Sequence, residues 1–261
     1  VYHTRPTKEV VLSAVTKQFH SGEGAIQFAP EAIARSNADL LTTLELRSEF
    51  IDIYCDQGRE EAARWLQLNH GPIDEAELEH RLGRYGLNPC GEILGADFHC
   101  NLAEIHLNQI DPSDEVGQED AFRAGALSVA CLLNHRFEVE RYRQSRAWDP
   151  IVGVSFTGLF DFFVHAFGTP WLQWWEAGRP DTEQGLEFKR QEATFLSRWK
   201  QVVTDTVWDY CDRHGLRRPN RCTTVQPAGT KSLLTGAAPG WHPPKAQRFI
   251  RRITFRKNDP V

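Results

Sequence analysis

Apolar positions recur at helical spacing over several long stretches of the chain and alternate over a few short ones, so the pattern predicts a mixed α/β protein. Val10, Val11, Ala14 and Val15 share one face of a helix over 7–19, which Thr7 can cap. Gly22, Glu23 and Gly24 break it, and 25–28 reads as a short buried strand. Pro30 starts a helix to 35, and the polar turn 36–39 follows. Two or three charge-rich helices are expected over 42–85, at about 42–54, 58–68 and 74–85, the last capped by Asp74 and ended by Gly86. Partial alternation over 100–107 predicts a strand. Phe122, Ala126, Val129, Leu133 and Phe137 recur at spacings of 4, 3, 4 and 4, which predicts one long helix over 118–145. Residues 151–154 read as a buried strand that runs through a glycine-hinged turn into an apolar helix. The stretch 168–182 reads as a loop holding Trp171, Trp174 and Trp175. Thr182 caps a helix over 183–214 with Leu196, Trp199, Val203, Val207 and Tyr210 on its buried face, and Gly215 closes it. Residues 223–226 are strand-like again, as are 253–255 at the end.

Composition narrows the function classes. With 41% hydrophobic and 25% charged residues the chain can fill an ordinary globular core. A net charge of -5 without a long Lys/Arg run argues against a nucleic-acid binder. No stretch has the length of a membrane span and no signal peptide opens the chain, so a cytoplasmic location is expected. Six cysteines without a CxxC pair do not make a disulfide scaffold. His99, Cys100 and His106 are metal-ligating types, but the Cys90 to Cys100 gap is not a zinc-finger spacing and no metal is expected. Cys55 is expected to be structural, Cys131 to be buried inside its helix, and Cys211, one residue past the buried stripe of 183–214, to be inert. The absence of methionine and the start at Val1 suggest an internal piece of a longer protein.

Two stretches carry candidate chemistry. Asn88-Pro89-Cys90-Gly91-Glu92-Ile93 is a non-helical loop, because Pro89 lacks a backbone donor and Gly91 permits close backbone approach. If the segment is extended, Asn88, Cys90 and Glu92 face one way and bring an amide, a thiol and a carboxylate to one site. A turn around an inert core thiol is the plainer reading, and an ordinary nucleophilic cysteine would need a base, for which His99 is the nearest histidine. The second stretch, Pro227-Ala228-Gly229-Thr230-Lys231-Ser232, places a glycine turn between a strand and a presumed helix start, which favours an anion. It is not a Walker A loop. The loop 236–244, rich in proline and glycine, reads as a rigid cover over a pocket mouth, and Arg248, Arg251 and Arg252 form a basic edge beyond it.

Residues 88–93 resemble the finger loop of ribonucleotide reductases, in particular the adenosylcobalamin-dependent (class II) enzymes. Residues 153–161 resemble a glycine-hinged stretch of their barrels, 227–232 their substrate-phosphate loop, and 240–243 a Gly-x-His-Pro segment that follows it. The resemblance is ordered along 88–244 and looser before. It implies that 1–261 is part of a ten-stranded α/β barrel, built from two parallel five-stranded halves with the finger loop at the centre. It also implies a thiyl radical on Cys90, Glu92 as general base, Asn88 on the ribose hydroxyls and Cys100 as a reducing cysteine. Ala228, Gly229, Thr230, Lys231 and Ser232 would bind phosphate. The implied cofactor is adenosylcobalamin. The implied partners are a ribonucleotide, with the triphosphate favoured, an effector deoxynucleotide and a thioredoxin-type reductant, without nucleic acid or membrane. A second reducing cysteine, the shuttle cysteines and the effector site would lie outside this chain, which alone is not expected to turn over. A class I or III reductase and a non-catalytic nucleotide-binding barrel remain as alternatives.

Overall fold

The structure is a computed structural model that describes residues 1–22, 26–244, 246, 250 and 254–258. Arg248, Arg251 and Arg252 therefore lie outside the described residues, as do Ala25 and Ile253 of the two expected terminal strands. Of those strands, Phe28 makes one bridge to Tyr2, and Thr254 and Phe255 form no strand.

The N-terminal third is helical: α1 (Lys8–Ser21), α2 (Ala29–Ser36), α3 (Leu44–Gln57), α4 (Arg59–His70) and α5 (Glu75–Leu82). The side chains of Thr7 and Asp74 accept from the first-turn N–H groups of α1 and α5, as their types predict. Ile33, Leu41, Phe50, Leu66 and Leu82 pack into one core. α1 contributes nothing to it. Its expected apolar face is unburied, with Val10, Val15 and Phe19 exposed, because no described element packs there.

Behind this core sits a knot of buried arginines. Arg81 forks onto Asp39, with Nη1 donating to Oδ1 at 3.1 Å and Nη2 to Oδ2 at 2.8 Å. Burial alone would raise the Asp39 pKa, but Arg81 outweighs it and holds the carboxyl down to about 2. A depressed carboxylate contributes stability above its ordinary value of 3.8 and loses it as pH falls through about 2. We expect urea midpoints to drop over that window, and Asp39→Asn to flatten the drop by up to about 2 kcal/mol.

Gly86 does not end α5. The helix stops at Leu82, and Gly86 opens a hairpin of β1 (Gly86–Leu87) and β2 (Leu94–Gly95), with Gly86 opposite Gly95. A Cβ on Gly86 would sit 2.6 Å from the Gly95 carbonyl oxygen, so this glycine serves strand approach. Gly86→Ala is expected to cost about 1–3 kcal/mol in chemical denaturation.

The second core wraps a parallel sheet. β3 (Leu102–His106) pairs with β4 (Gly153–Thr157), with Glu104 opposite Ser155. A third parallel run lies beyond β4: Thr224 N–H donates to Val154 O and Val154 N–H to Cys222 O. The connection from β3 to β4 is α6 (Glu115–Cys131) and α7 (Glu140–Trp148), and α8 (Leu159–Phe167), α9 (Thr169–Glu176) and α10 (Glu183–Arg213) follow. Ala103, Ile105, Val154 and Phe156 face Phe122, Trp199, Val203 and Val207 across this core.

Three expectations are corrected here. The single helix over 118–145 is two, because the chain tightens at Leu132–Asn134 and Arg146 Nη1 donates to the carbonyls of Leu132, Leu133 and His135. Cys131, at the end of α6, is exposed rather than buried. The loop at 168–182 holds α9, started by Pro170, and its Trp171 and Trp174 are core residues. Cys211 sits within the buried stripe of α10. The result is mixed α/β. Among the described residues the strands form two two-stranded sheets and one extra parallel bridge, and a closed ten-stranded barrel is not evident.

Candidate active site

Strand alternation separates the two faces of the sheet. Ala103, Ile105, Val154 and Phe156 take the helix side, which leaves Leu102, Glu104 and His106 of β3 and Gly153, Ser155 and Thr157 of β4 on the other. Thr224 and Gln226 continue these rows. A Cβ on Gly153 would meet Leu102 and Thr224, and the Gln226 N–H donates to Ser155 Oγ at 2.9 Å. The strands of a parallel sheet are normally covered on both faces and apolar on both. This face is polar, which is the local signature of a site.

The hairpin rests on it. Thr224 Oγ1 donates to the Glu92 carbonyl oxygen at 2.7 Å. Residues 88–93 are not extended: Asn88 O accepts from Gly91 N–H at 3.0 Å, with Pro89 and Cys90 as the turn's central pair and Gly91 at φ 78°. The Asn88 side-chain oxygen accepts from Ile93 N–H at 3.1 Å and closes the tip. Alternation therefore does not align the three side chains. Cys90 is exposed at the tip, whereas Glu92 is turned inward with a buried Oε2 that lacks a partner. Cys100 is half-buried just before β3. Burial first, and the Glu92 carboxylate second, push its thiol up. Cys211 and Cys222 belong to the opposite core, where burial raises them to about 11 and about 12.

Residues 227–232 form a turn with Ala228 at φ 52° and Ser232 N–H donating to Ala228 O at 3.1 Å. The expected α-helix N-terminus is absent. Lys231–Leu234 is a single 3-10 turn, because Thr235 is tied away by Asn108 Nδ2 at 2.9 Å and His106 Nδ1 at 2.8 Å. Nor does Lys231 point away from the protein. Its Nζ lies 2.8 Å from Glu104 Oε2 and donates to Gln226 Oε1. The glycine hinge before α8 does not admit a ligand either; Gly158 N–H donates to Ala238 O, and the Ala238 N–H donates to Asp161 Oδ2 at 2.7 Å. Beyond it, Trp241 of the 236–244 loop borders a pocket of about 500 Å³ lined by Val154, Phe156, Trp199 and Val225. That pocket opens on the helix side of the sheet, away from Cys90. His99 Nδ1 pairs with Asn101 and His106 Nδ1 with Thr235, and no group of three or more His, Cys, Asp or Glu among the described residues could hold a metal ion.

Glu104, Ser155, Thr224 and Gln226 were not singled out by motif. For Glu104 and Ser155 the signal is a polar side chain between the apolar Ala103, Ile105, Val154 and Phe156; Thr223 breaks that alternation on the third run.

No family model matches the chain. An adenosylcobalamin-dependent ribonucleoside-triphosphate reductase of Levilactobacillus brevis is 32% identical over 184 residues, which is 67% of this chain and 24% of that protein. Proteins of the same description from Lacticaseibacillus paracasei and Lactobacillus gasseri are each 28% identical, over 72% and 75% of this chain and 28% and 27% of theirs. The chain thus spans about a quarter of the length of the curated relatives it matches. A crystal structure of a B-12 dependent (class II) ribonucleotide reductase superposes with a TM-score of 0.48 at 21% identity, over 61% of this chain and 23% of that one.

Proposed function

Because the chain is a distant homologue of a segment of adenosylcobalamin-dependent class II ribonucleotide reductases, we propose that it carries the finger hairpin and the phosphate turn of such an enzyme. The whole protein would reduce ribonucleoside triphosphates to 2′-deoxynucleotides for DNA synthesis in the cytoplasm, and residues 1–261 would be part of its catalytic barrel domain. The observation that carries this reading is the hairpin 86–95: it presents an exposed Cys90 and is pinned through Glu92 to the strand that leads into the 227–232 turn. No helix of the described residues is long and apolar enough to cross a membrane.

Cys90, as a thiyl radical, takes the 3′-hydrogen of the ribose, forming an S–H bond and a carbon radical at C3′. Glu92 accepts the 3′-hydroxyl proton, a role suited to a carboxylate whose buried Oε2 lacks a partner. Asn88, with Oδ1 spent on Ile93, offers its amide N–H groups to the hydroxyls. The 2′-hydroxyl leaves as water with a proton from a thiol. Cys100 and a second cysteine from outside this chain supply two electrons and two protons and become a disulfide. Cys90 then returns its hydrogen to C3′ and is again a thiyl. Ala228 to Ser232 hold the phosphates, a thioredoxin-type reductant resets the disulfide, and an effector deoxynucleotide acts elsewhere in the protein. Adenosylcobalamin, when bound, supplies the radical that oxidises the Cys90 thiol. Cys90 is reachable at the hairpin tip, but neither the pocket of about 440 Å³ nor that of about 500 Å³ borders it, and no residue is assigned to hold the cofactor.

The test is deoxynucleotide formation by the full-length protein that carries this sequence, with and without adenosylcobalamin. Product only with the cofactor is expected. Product without it would assign the radical to another source, and no product under either condition would sink the reductase reading.

A further inference from the structure

The polar face holds more than the resemblance accounts for. Glu104 is buried to 3% side-chain exposure, and neither of its carboxylate oxygens accepts a directed hydrogen bond. Gln226 Nε2 is likewise buried and unpartnered. Both flank Lys231, the one lysine of the 227–232 turn, whose side chain is 46% exposed and whose ammonium reaches inward to them. Glu104 lies opposite Ser155, and the Gln226 N–H donates to Ser155 Oγ. The hairpin rests on the third run at Thr224, which the Val154–Thr223 bridge sets beside Ser155.

We propose that Glu104 is a positioning residue for this turn, acting through Lys231. It consumes the lysine's charge, so Lys231 serves as the tether that fixes the turn and not as the cation that meets the ligand. The physical reason is an asymmetry of burial. A carboxylate this deep cannot be hydrated, and withdrawing Lys231 toward an anion would strand it. An exposed lysine–phosphate contact returns less than that withdrawal costs. The turn therefore offers an anion its backbone N–H groups and hydroxyls, held in place from beneath. This rests on reading the turn as a phosphate site. It adds that loop preorganisation comes from a buried residue on β3, more than 120 positions earlier in the chain.

The test uses the full-length protein and ATP as the probe. Glu104→Gln keeps the shape and removes the charge. We expect the ATP dissociation constant and KM to rise about tenfold with kcat at saturation within about threefold. Amides of 227–235 should exchange faster in the same variant without nucleotide. Lys231→Met should do the same, the double variant should be no worse than the worse single, and Glu104→Asp should recover part. Loss of ATP affinity in Lys231→Met with Glu104→Gln unchanged or tighter would make Lys231 the direct phosphate contact and overturn the proposal. So would unchanged exchange of the turn in Lys231→Met, which decides the matter if Glu104→Gln does not fold. Faster exchange in both variants of a protein that binds no ATP would leave the tether standing and remove the phosphate reading.

Discussion

A full-length protein carrying Cys90→Ala should form deoxynucleotide at least about 10⁴-fold more slowly than wild type, while binding ribonucleoside triphosphate unchanged. The sulfur is the only atom in the proposed mechanism that takes and returns the 3′-hydrogen, and alanine cannot carry that radical. Cys90 is exposed at a tip whose backbone bonds run from Asn88 to Gly91 and from Ile93 to Asn88, so the substitution leaves the hairpin's own contacts in place. Cys131→Ala is the control: it is also exposed, but at the end of α6, and its variant should retain full activity. Glu92→Gln should fall between, with kcat down by about 10²–10⁴, since the radical can form while the 3′-hydroxyl loses its proton acceptor. Wild-type turnover in Cys90→Ala, measured by chromatographic separation of product, would remove the radical assignment and leave a nucleotide-binding unit.

The parts of the site that were legible in the sequence are those set by local chemistry. Pro89 and Gly91 fix a turn wherever they stand, and the chain does turn there. What the turn does to side-chain direction was not legible, because the i, i+2 rule for Cys90 and Glu92 assumes an extended backbone that the Asn88–Gly91 hydrogen bond excludes. Helices were readable where caps and periodicity agreed, as at Thr7, Asp74 and Thr182. They failed where a distant group decided the ending. Arg146 captures the carbonyls that would have continued α6, and Asn108 and His106 pull Thr235 out of the helix expected after the 227–232 turn. Lys231 shows the same limit. A lysine in a glycine turn suggests an anion ligand, but its partner Glu104 lies on another strand. Pairing across elements is a tertiary fact that periodicity does not encode.

Asp149→Asn is expected to destabilise the protein by about 3–5 kcal/mol, a fall of roughly 10 °C in Tm. The carboxylate is 2% exposed and is the shared anion of two arginines, Arg84 at 3.4 Å and Arg221 at 2.8 Å. Arg84 is fully buried, and burial, the largest influence, pulls its pKa down to about 10 even with Asp149 beside it. Removing the charge therefore leaves two cations beside each other, one of them, Arg84, fully buried. The consequence reaches the site through Arg221, which also donates to the Ser36 carbonyl of α2 and to the Leu94 carbonyl of β2 at 3.3 Å. The helical third, the strand start at Cys222 and the hairpin thus meet on one guanidinium. Hydrogen exchange should rise in 86–95 together with the drop in Tm. Asp209→Asn, which breaks an exposed pair with Arg213, should change stability by less than about 0.5 kcal/mol. Arg84→Met added to Asp149→Asn removes one of the stranded cations and should recover part of the loss. If the two substitutions simply add, the arginines do not share the carboxylate energetically, and the hairpin is held by its own turn and Thr224 alone.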